Sequence, residues 1–180
     1  MVERLKRRAP QLVRSVSVTT RLPRSGERHG RDYRFVSPTT FERMKRSGEL
    51  LEWARVHGAY YGTPKRPIAQ ALAQGRHALL SIDVQGARKI RRLLGRQAVL
   101  IFLLPPSRAA LRQRLLRRRP ENARAIQQRL AAATREVACA RWYDYAVVND
   151  RLSETVAKVN AIVTAAGGEI PPPRKGKHDG

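Results

Sequence analysis

The chain has 180 residues and a formal net charge of +23, from 37 Lys and Arg against 14 Asp and Glu. One domain with a single substantial core is expected at this length, and 42% hydrophobic with 28% charged residues is a globular rather than a disordered composition. No apolar run approaches the roughly 18 residues of a membrane span, no signal-peptide stretch follows the basic segment Met1 to Arg8, and the one cysteine, Cys139, excludes an internal disulfide framework and a cysteine-based zinc site. The compartment expected is the cytoplasm.

In chain order, Val2 to Arg8 reads as the rear of a helix ended by Pro10. Leu12 to Thr20, rich in Val, Ser and Thr, reads as one strand. An Arg- and Gly-rich loop spans Arg21 to Asp32, and Tyr33 to Val36 is a short strand. Ser37-Pro38 opens a helix, with Ser as cap and Pro at the first helical position, that stops at Gly48. Leu50 to His57 and Ala59 to Gly62 are extended segments around a tight turn at Gly58. A helix is expected over Pro67 to Gln74, closed by Gly75. The apolar run Ala78 to Ile82 ends at Asp83, and a basic helix follows from Gln85 to Leu94.

Ala98 to Leu104 is continuously apolar, as a strand covered on both faces would be. Ser107 caps a helix reaching Arg119, and a second helix runs from Asn122 to Ala140. Tyr145 to Val148 reads as another buried strand, and Leu152 to Ala166 as the last helix. The remainder, 167–180, holds three consecutive prolines and scattered charges and is expected to be a disordered tail. Strands separated by helices indicate an α/β fold with a parallel sheet. Ligands of such sheets sit at the carboxyl ends of the strands, which places Asp83, Pro105 to Ser107 and Asn149-Asp150 near any site.

The charge by itself favours an anionic partner: nucleic acid, an acidic membrane surface or a phosphorylated small molecule. Arg supplies 30 of the basic residues and Lys only 7; the skew is either compositional or a sign of two-pronged phosphate binding, which Arg performs better.

Four segments carry candidate chemistry. Ser17 to Arg24 sets a hydroxyl and two guanidinium groups three apart (Arg21, Arg24) at the end of a strand, with Tyr33 beyond the loop. Arginine forks bind phosphate oxygens in pairs, although an isolated R-x-x-R in so basic a chain reads first as a solvated loop. Glu52-Trp53-Ala54 through Tyr60-Tyr61-Gly62-Thr63 sets a carboxylate in an apolar frame, suited to a ring N–H and an exocyclic amine as guanine offers; alone it reads equally well as a surface hairpin. Ile82-Asp83-Val84-Gln85-Gly86 puts an acid at a strand end, where it serves a site, caps the next helix, or does both. Arg114, Arg117, Arg118, Arg119 and Arg129 form a basic corner that either closes over a polyphosphate or, for most members, is a solvated charge run. The four histidines show no ligand spacing.

In combination these segments resemble guanylate kinase, the ATP-dependent GMP phosphotransferase. SVSVTTRLPRSGE, DYRFVS, GELLEWARVHGAYYGTP, IDVQGAR, LPPS and VVND occur in that family's order and cover about Val13 to Val163. The resemblance implies a P-loop-kinase-like parallel sheet flanked by helices, forming one domain over 1–166. It has a small GMP-binding subdomain at about 33–62 and a helical lid at about 107–140. It implies that Ser17, Arg21, Arg24, Tyr33 and Tyr61 hold the GMP phosphate, and that Glu52, Thr63 and Asp83 read the guanine with Ser17 nearby. Arg118 and Arg129 match the lid arginines that engage ATP phosphates and the transferred group, and Asn149 sits on the ATP side. The partners implied are GMP and ATP, with Mg²⁺ accompanying ATP, and neither a specific nucleic acid nor a membrane.

Two features depart from the family pattern. The phosphate-binding loop G-x-x-x-x-G-K-S/T, and the strand before it, have no counterpart in the chain; Gly176-Lys177 is followed by His178. Ser81 stands where the family usually carries an acid. The expectation is that the natural protein starts upstream of Met1 and that catalysis by the chain as written is impaired, with neighbouring strands left as open edges. The alternative is a catalytically silent module binding GMP or another phosphorylated ligand.

Overall fold

The structure is a computed structural model describing residues 1–118 and 123–167. Helix α1 (Val2–Arg8) buries Leu5 and leads into strand β1 (Leu12–Arg14). The single strand expected over Leu12 to Thr20 is in fact two. β1 pairs in parallel with β6 (His77–Leu79), whereas β2 (Val18–Thr19) belongs to another sheet. The Ser15 amide still donates to Leu79 O at 3.0 Å, while Ser17 O already accepts from Arg34. Ser15 to Ser17 therefore carry the chain from one sheet to the next. A β-branched run reports extended backbone, not the partner it pairs with.

The second sheet has four strands in the order β3-β2-β5-β4. β3 (Arg34–Phe35) lies parallel to β2; β5 (Ala59–Pro64) is antiparallel to both β2 and β4 (Leu50–Val56). The β4–β5 turn puts His57 at φ 48° and Gly58 at φ 85°, the positive values that a two-residue hairpin turn requires. Helix α2 (Pro38–Arg46) is capped as expected, Ser37 Oγ accepting from the Thr40 amide at 3.1 Å. Val18, Phe41 and Met44 make a local core, with Val36, Leu50, Trp53 and Tyr60 against it. This small sheet recruits β2 and extends to Pro64, beyond the span 33–62.

Helix α3 (Lys65–Ala73) begins two residues before the expected Pro67, which falls in a first turn whose amides have no helical acceptor. Helix α4 (Val84–Leu94) is capped by Asp83, whose Oδ1 accepts from the Gly86 amide at 2.8 Å. β7 (Ile101–Leu104) pairs in parallel with β8 (Tyr145–Val148). Between them lie α5 (Arg108–Arg118), with Ser107 Oγ accepting from the Ala110 amide, and α6 (Ala123–Val137), which passes into a 3₁₀ turn at Ala138–Trp142 rather than continuing as α-helix to Ala140. Helix α7 (Leu152–Gly167) closes the described chain, one residue past the expected end; the rest of the expected tail lies outside the described residues.

The main core gathers Leu5, Ala9, Leu12 and Val159 under Leu79, Ile101, Leu103 and Val163, joining α1, β1, β6, β7 and α7. Among the described residues, the pairs β1/β6 and β7/β8 are not hydrogen-bonded to each other. β8 is not the buried strand its apolar run suggested: Val147 is buried, but Tyr145 is 43% and Val148 46% exposed. Among the described residues it is bonded to β7 alone, and side chains of a strand whose faces are not covered by other elements stay in water.

Candidate functional site

The site begins at the end of β2. Buried Thr19 donates its hydroxyl to Tyr60 O at 2.8 Å and accepts the Arg21 amide at 3.2 Å, and Thr20 Oγ1 accepts from the Tyr60 amide. These bonds tie the outgoing loop to β5 and direct Arg21 along it. Arg21 Nε donates to the Tyr61 hydroxyl at 3.1 Å; Nη1 donates to Leu22 O at 2.7 Å and to Glu27 Oε2 at 3.0 Å; Nη2 donates to Glu27 Oε1 at 2.9 Å. The guanidinium lies 5.3 Å from the Tyr33 ring centroid, and Tyr33 meets Tyr61 edge-on at 5.9 Å. Glu27 Oε2 also accepts the Arg24 amide at 2.7 Å. The ion pair drives Glu27 below the usual carboxylate range and holds Arg21 above its ordinary value.

Arg24 is different. Its Nε is buried without a partner, and its guanidinium makes no hydrogen bond among the described residues. The loop thus presents one arginine committed to protein contacts and one held ready. Ser17 is half-buried in the connection just before β2.

The second half of the site crosses β4 and β5. Glu52 and Thr63 are register partners. Both are buried, and the Thr63 hydroxyl donates to Glu52 Oε1 at 2.5 Å. Burial pushes the Glu52 carboxyl above its ordinary range, Asp83 pushes the same way, and the Thr63 hydroxyl and Lys89 oppose the rise. Asp83, at the N-terminus of α4, lies near enough to act on the Glu52 carboxyl, and it caps that helix. Tyr61 and Thr63 alternate on β5, so both project from one face, about 7 Å apart along the strand.

The sequence brings Arg21, Arg24, Tyr33 and Tyr61 into one cluster, and Glu52, Thr63 and Asp83 into another. Asn149 stands apart, after β8: its amide donates to Leu104 O at 2.7 Å and its Oδ1 accepts from buried Thr155 at 3.2 Å. Arg129 lies on α6, and Arg118 ends α5 with its side chain outside the described residues.

One residue was overlooked in the sequence. Glu27, three positions after Arg24, is the acid that organises the loop; the signal was a lone carboxylate in a basic run. Arg114, grouped above with phosphate-closing or solvated arginines, is half-buried against the loop after β8. It donates from Nη1 to Asn149 O at 2.8 Å and from Nη2 to Asp150 O at 3.3 Å, clamping that loop to α5.

Among the described residues no three His, Cys, Asp or Glu side chains gather to hold a metal ion, and Ser81 offers only an exposed hydroxyl near Asp83. No protein ligand set for Mg²⁺ is assigned. No helix among the described residues is long and apolar enough to cross a membrane.

The family model for guanylate kinase matches residues 3–166. A guanylate kinase of Carboxydothermus hydrogenoformans is 41% identical over 163 residues, 91% of this chain and 79% of that protein. One of Oleidesulfovibrio alaskensis is 45% identical over 92% of this chain and 80% of its own length. The crystal structure of guanylate kinase from Anaplasma phagocytophilum superposes with a TM-score of 0.78 at 36% identity, covering 91% of this chain and 79% of that one.

Proposed function

This chain belongs to the guanylate kinase family, and from that premise we propose that the face shared by β2, β4, β5 and the start of α4 is its GMP site. The observation that carries this reading is the buried Glu52–Thr63 pair across β4 and β5, with Tyr61, two residues before Thr63, bonded to Arg21 of the loop that carries Arg24. An ionised Glu52 accepts from the guanine ring N–H and exocyclic amine, with Thr63 holding Oε1 and Asp83 near the same edge. Arg24, Arg21, Tyr61 and Tyr33 receive the phosphate, and Ser17 borders both groups.

The family's reaction moves the γ-phosphoryl group of ATP to GMP, giving GDP and ADP. A phosphate oxygen of GMP forms the new P–O bond as the bond to the ADP oxygen breaks, so no protein nucleophile is needed. The protein's work is to bring two anions together in line and to keep water away. Arginine forks offset the repulsion on the GMP side. On the ATP side we assign Arg118, Arg129 and Asn149, the last held by Arg114 and Thr155. Residues 107–140 serve as the lid and 33–62 as the core of the GMP subdomain. Mg²⁺ enters as part of the magnesium–ATP substrate, whose phosphates supply its ligands. The cytoplasm, where both nucleotides are dissolved, is the compartment this reading assigns.

The test is calorimetric titration of the 180-residue chain with GMP, followed by the same titration of Glu52→Ala. Saturable 1:1 binding that Glu52→Ala weakens at least about tenfold supports the site; equal affinity in the two proteins refutes it.

A further inference from the structure

We infer that Gly86 sets the guanine selectivity of the GMP pocket, by leaving empty the space into which any side chain would push the Glu52 carboxylate. The inference rests on the guanine-reading role given to Glu52 above. Gly86 is the third residue of α4 and is buried. Its φ is not positive, so the backbone itself would accept alanine, and alanine is the better helix former. Neither conformation nor propensity explains a glycine here.

The surroundings do. A Cβ at position 86 would stand 2.7 Å from Glu52 Oε2, 3.1 Å from Glu52 Cδ and 3.2 Å from Ile82 Cβ. A contact of 2.7 Å is well inside the separation at which carbon and oxygen cease to attract. The carboxylate is not a loose chain end able to step aside: Glu52 is 5% exposed and Oε1 is tied to Thr63 at 2.5 Å. Oε2, the oxygen that would be struck, accepts no hydrogen bond among the described residues and is the one left to receive the base. A methyl group at 86 therefore rotates Oε2 away from the ligand or breaks the Thr63 bond. The amide of Gly86 simultaneously fixes Asp83 through Oδ1 at 2.8 Å, so one residue without a side chain sets the distance between the two acids of the pocket. Gly86 is a positioning residue: it acts through Glu52 and Asp83.

The consequence falls on the exocyclic amine. GMP carries it and inosine monophosphate does not, so a displaced carboxylate costs GMP more than inosine monophosphate. The experiment is a double-mutant cycle in the full chain: wild type, Gly86→Ala, Glu52→Ala and the double variant, each titrated calorimetrically with GMP and with inosine monophosphate and melted to confirm folding. Gly86→Ala is expected to weaken GMP about 10- to 100-fold, with the ratio of the two affinities falling toward one. In the Glu52→Ala background it is expected to change either affinity less than about twofold, because the group it would strike is gone.

Equal GMP loss from Gly86→Ala in both backgrounds overturns the inference, since Gly86 would then act through the helix alone. Unchanged GMP affinity in the folded single variant also overturns it. If Gly86→Ala fails to fold, folding of the double variant supports the clash with Glu52, and failure of both refutes it. An unchanged ratio of affinities on Glu52→Ala alone defeats instead the underlying reading of Glu52, and with it this inference.

Discussion

The two arginines of the loop proposed to hold the GMP phosphate are not equivalent, and the difference is measurable. Arg has five N–H donors. Arg21 already spends four: Nε on Tyr61, both Nη1 hydrogens on Leu22 O and Glu27, and one Nη2 hydrogen on Glu27. It can offer a phosphate one further bond unless Glu27 lets go, and both partners are well covered, with 14% and 19% of their side chains exposed. Among the described residues Arg24 spends none, and its Nε is already out of water. Replacing each by Lys keeps the charge and removes the fork. A charge-assisted hydrogen bond contributes about 1.5–3 kcal/mol, so Arg24→Lys is expected to weaken GMP by roughly 10- to 150-fold. Arg21→Lys keeps an ammonium that can itself supply the one bond Arg21 has left to give, and is expected to weaken GMP by less than about tenfold. It should lower the melting temperature more than Arg24→Lys, because Glu27 and Tyr61 lose their partner. Calorimetric titration with GMP, and with guanosine as the phosphate-free control, reads the difference. The ranking fails if Arg21→Lys costs GMP more than Arg24→Lys, or if either variant weakens guanosine equally.

Other consequences follow from the same contacts. Glu52 is held above the ordinary carboxylate range by burial, so guanosine affinity should rise with pH through the window above that range as Glu52 ionises. Guanosine is the right probe because the phosphate of GMP titrates near about 6 itself. Glu52→Gln should flatten the profile; an unchanged profile contradicts the assignment. The sign for stability is opposite: the folded state holds this proton more tightly, so Glu52 makes folding less favourable as pH rises through the same window. Phe41 is 1% exposed and stacks on Tyr60 at 5.3 Å, so Phe41→Ala should cost about 3–5 kcal/mol in denaturant unfolding; a loss below about 1 kcal/mol refutes its place in the core. Arg114→Lys keeps at most one of the two carbonyl contacts to Asn149 and Asp150. It should weaken ATP while leaving GMP affinity unchanged, and a GMP loss of equal size contradicts the loop-clamp role.

The geometry of the β4–β5 face was legible because its signals are local. Ser37-Pro38 carries its own cap, His57-Gly58 its own turn, and Glu52 and Thr63 face each other across a hairpin whose register that turn fixes. What was misread depends on long-range pairing. Nothing within Leu12 to Thr20 says that Arg14 ends in one sheet and Val18 begins in another. Tyr145 to Val148 is apolar throughout, yet its burial depends on what lies beside it. Arg114 resembles its basic neighbours until α5 is seen against the loop after β8. Glu27 was hidden for a related reason: an acid among arginines reads as charge balance until its two oxygens are found on Arg21 and the Arg24 amide.

The claim that matters most is that the Glu52–Thr63 pair and the Arg24 fork recognise one guanine nucleotide. Competitive titration of the full chain with GMP and AMP tests it most directly, because both carry the same phosphate. AMP presents a ring-nitrogen lone pair where GMP presents N–H, so the ionised Glu52 gains a bond from one and meets repulsion from the other. GMP should bind at least about 100-fold more tightly than AMP, with the preference falling below about tenfold in Glu52→Ala. Equal affinities for GMP and AMP in the unmutated chain would contradict the claim outright.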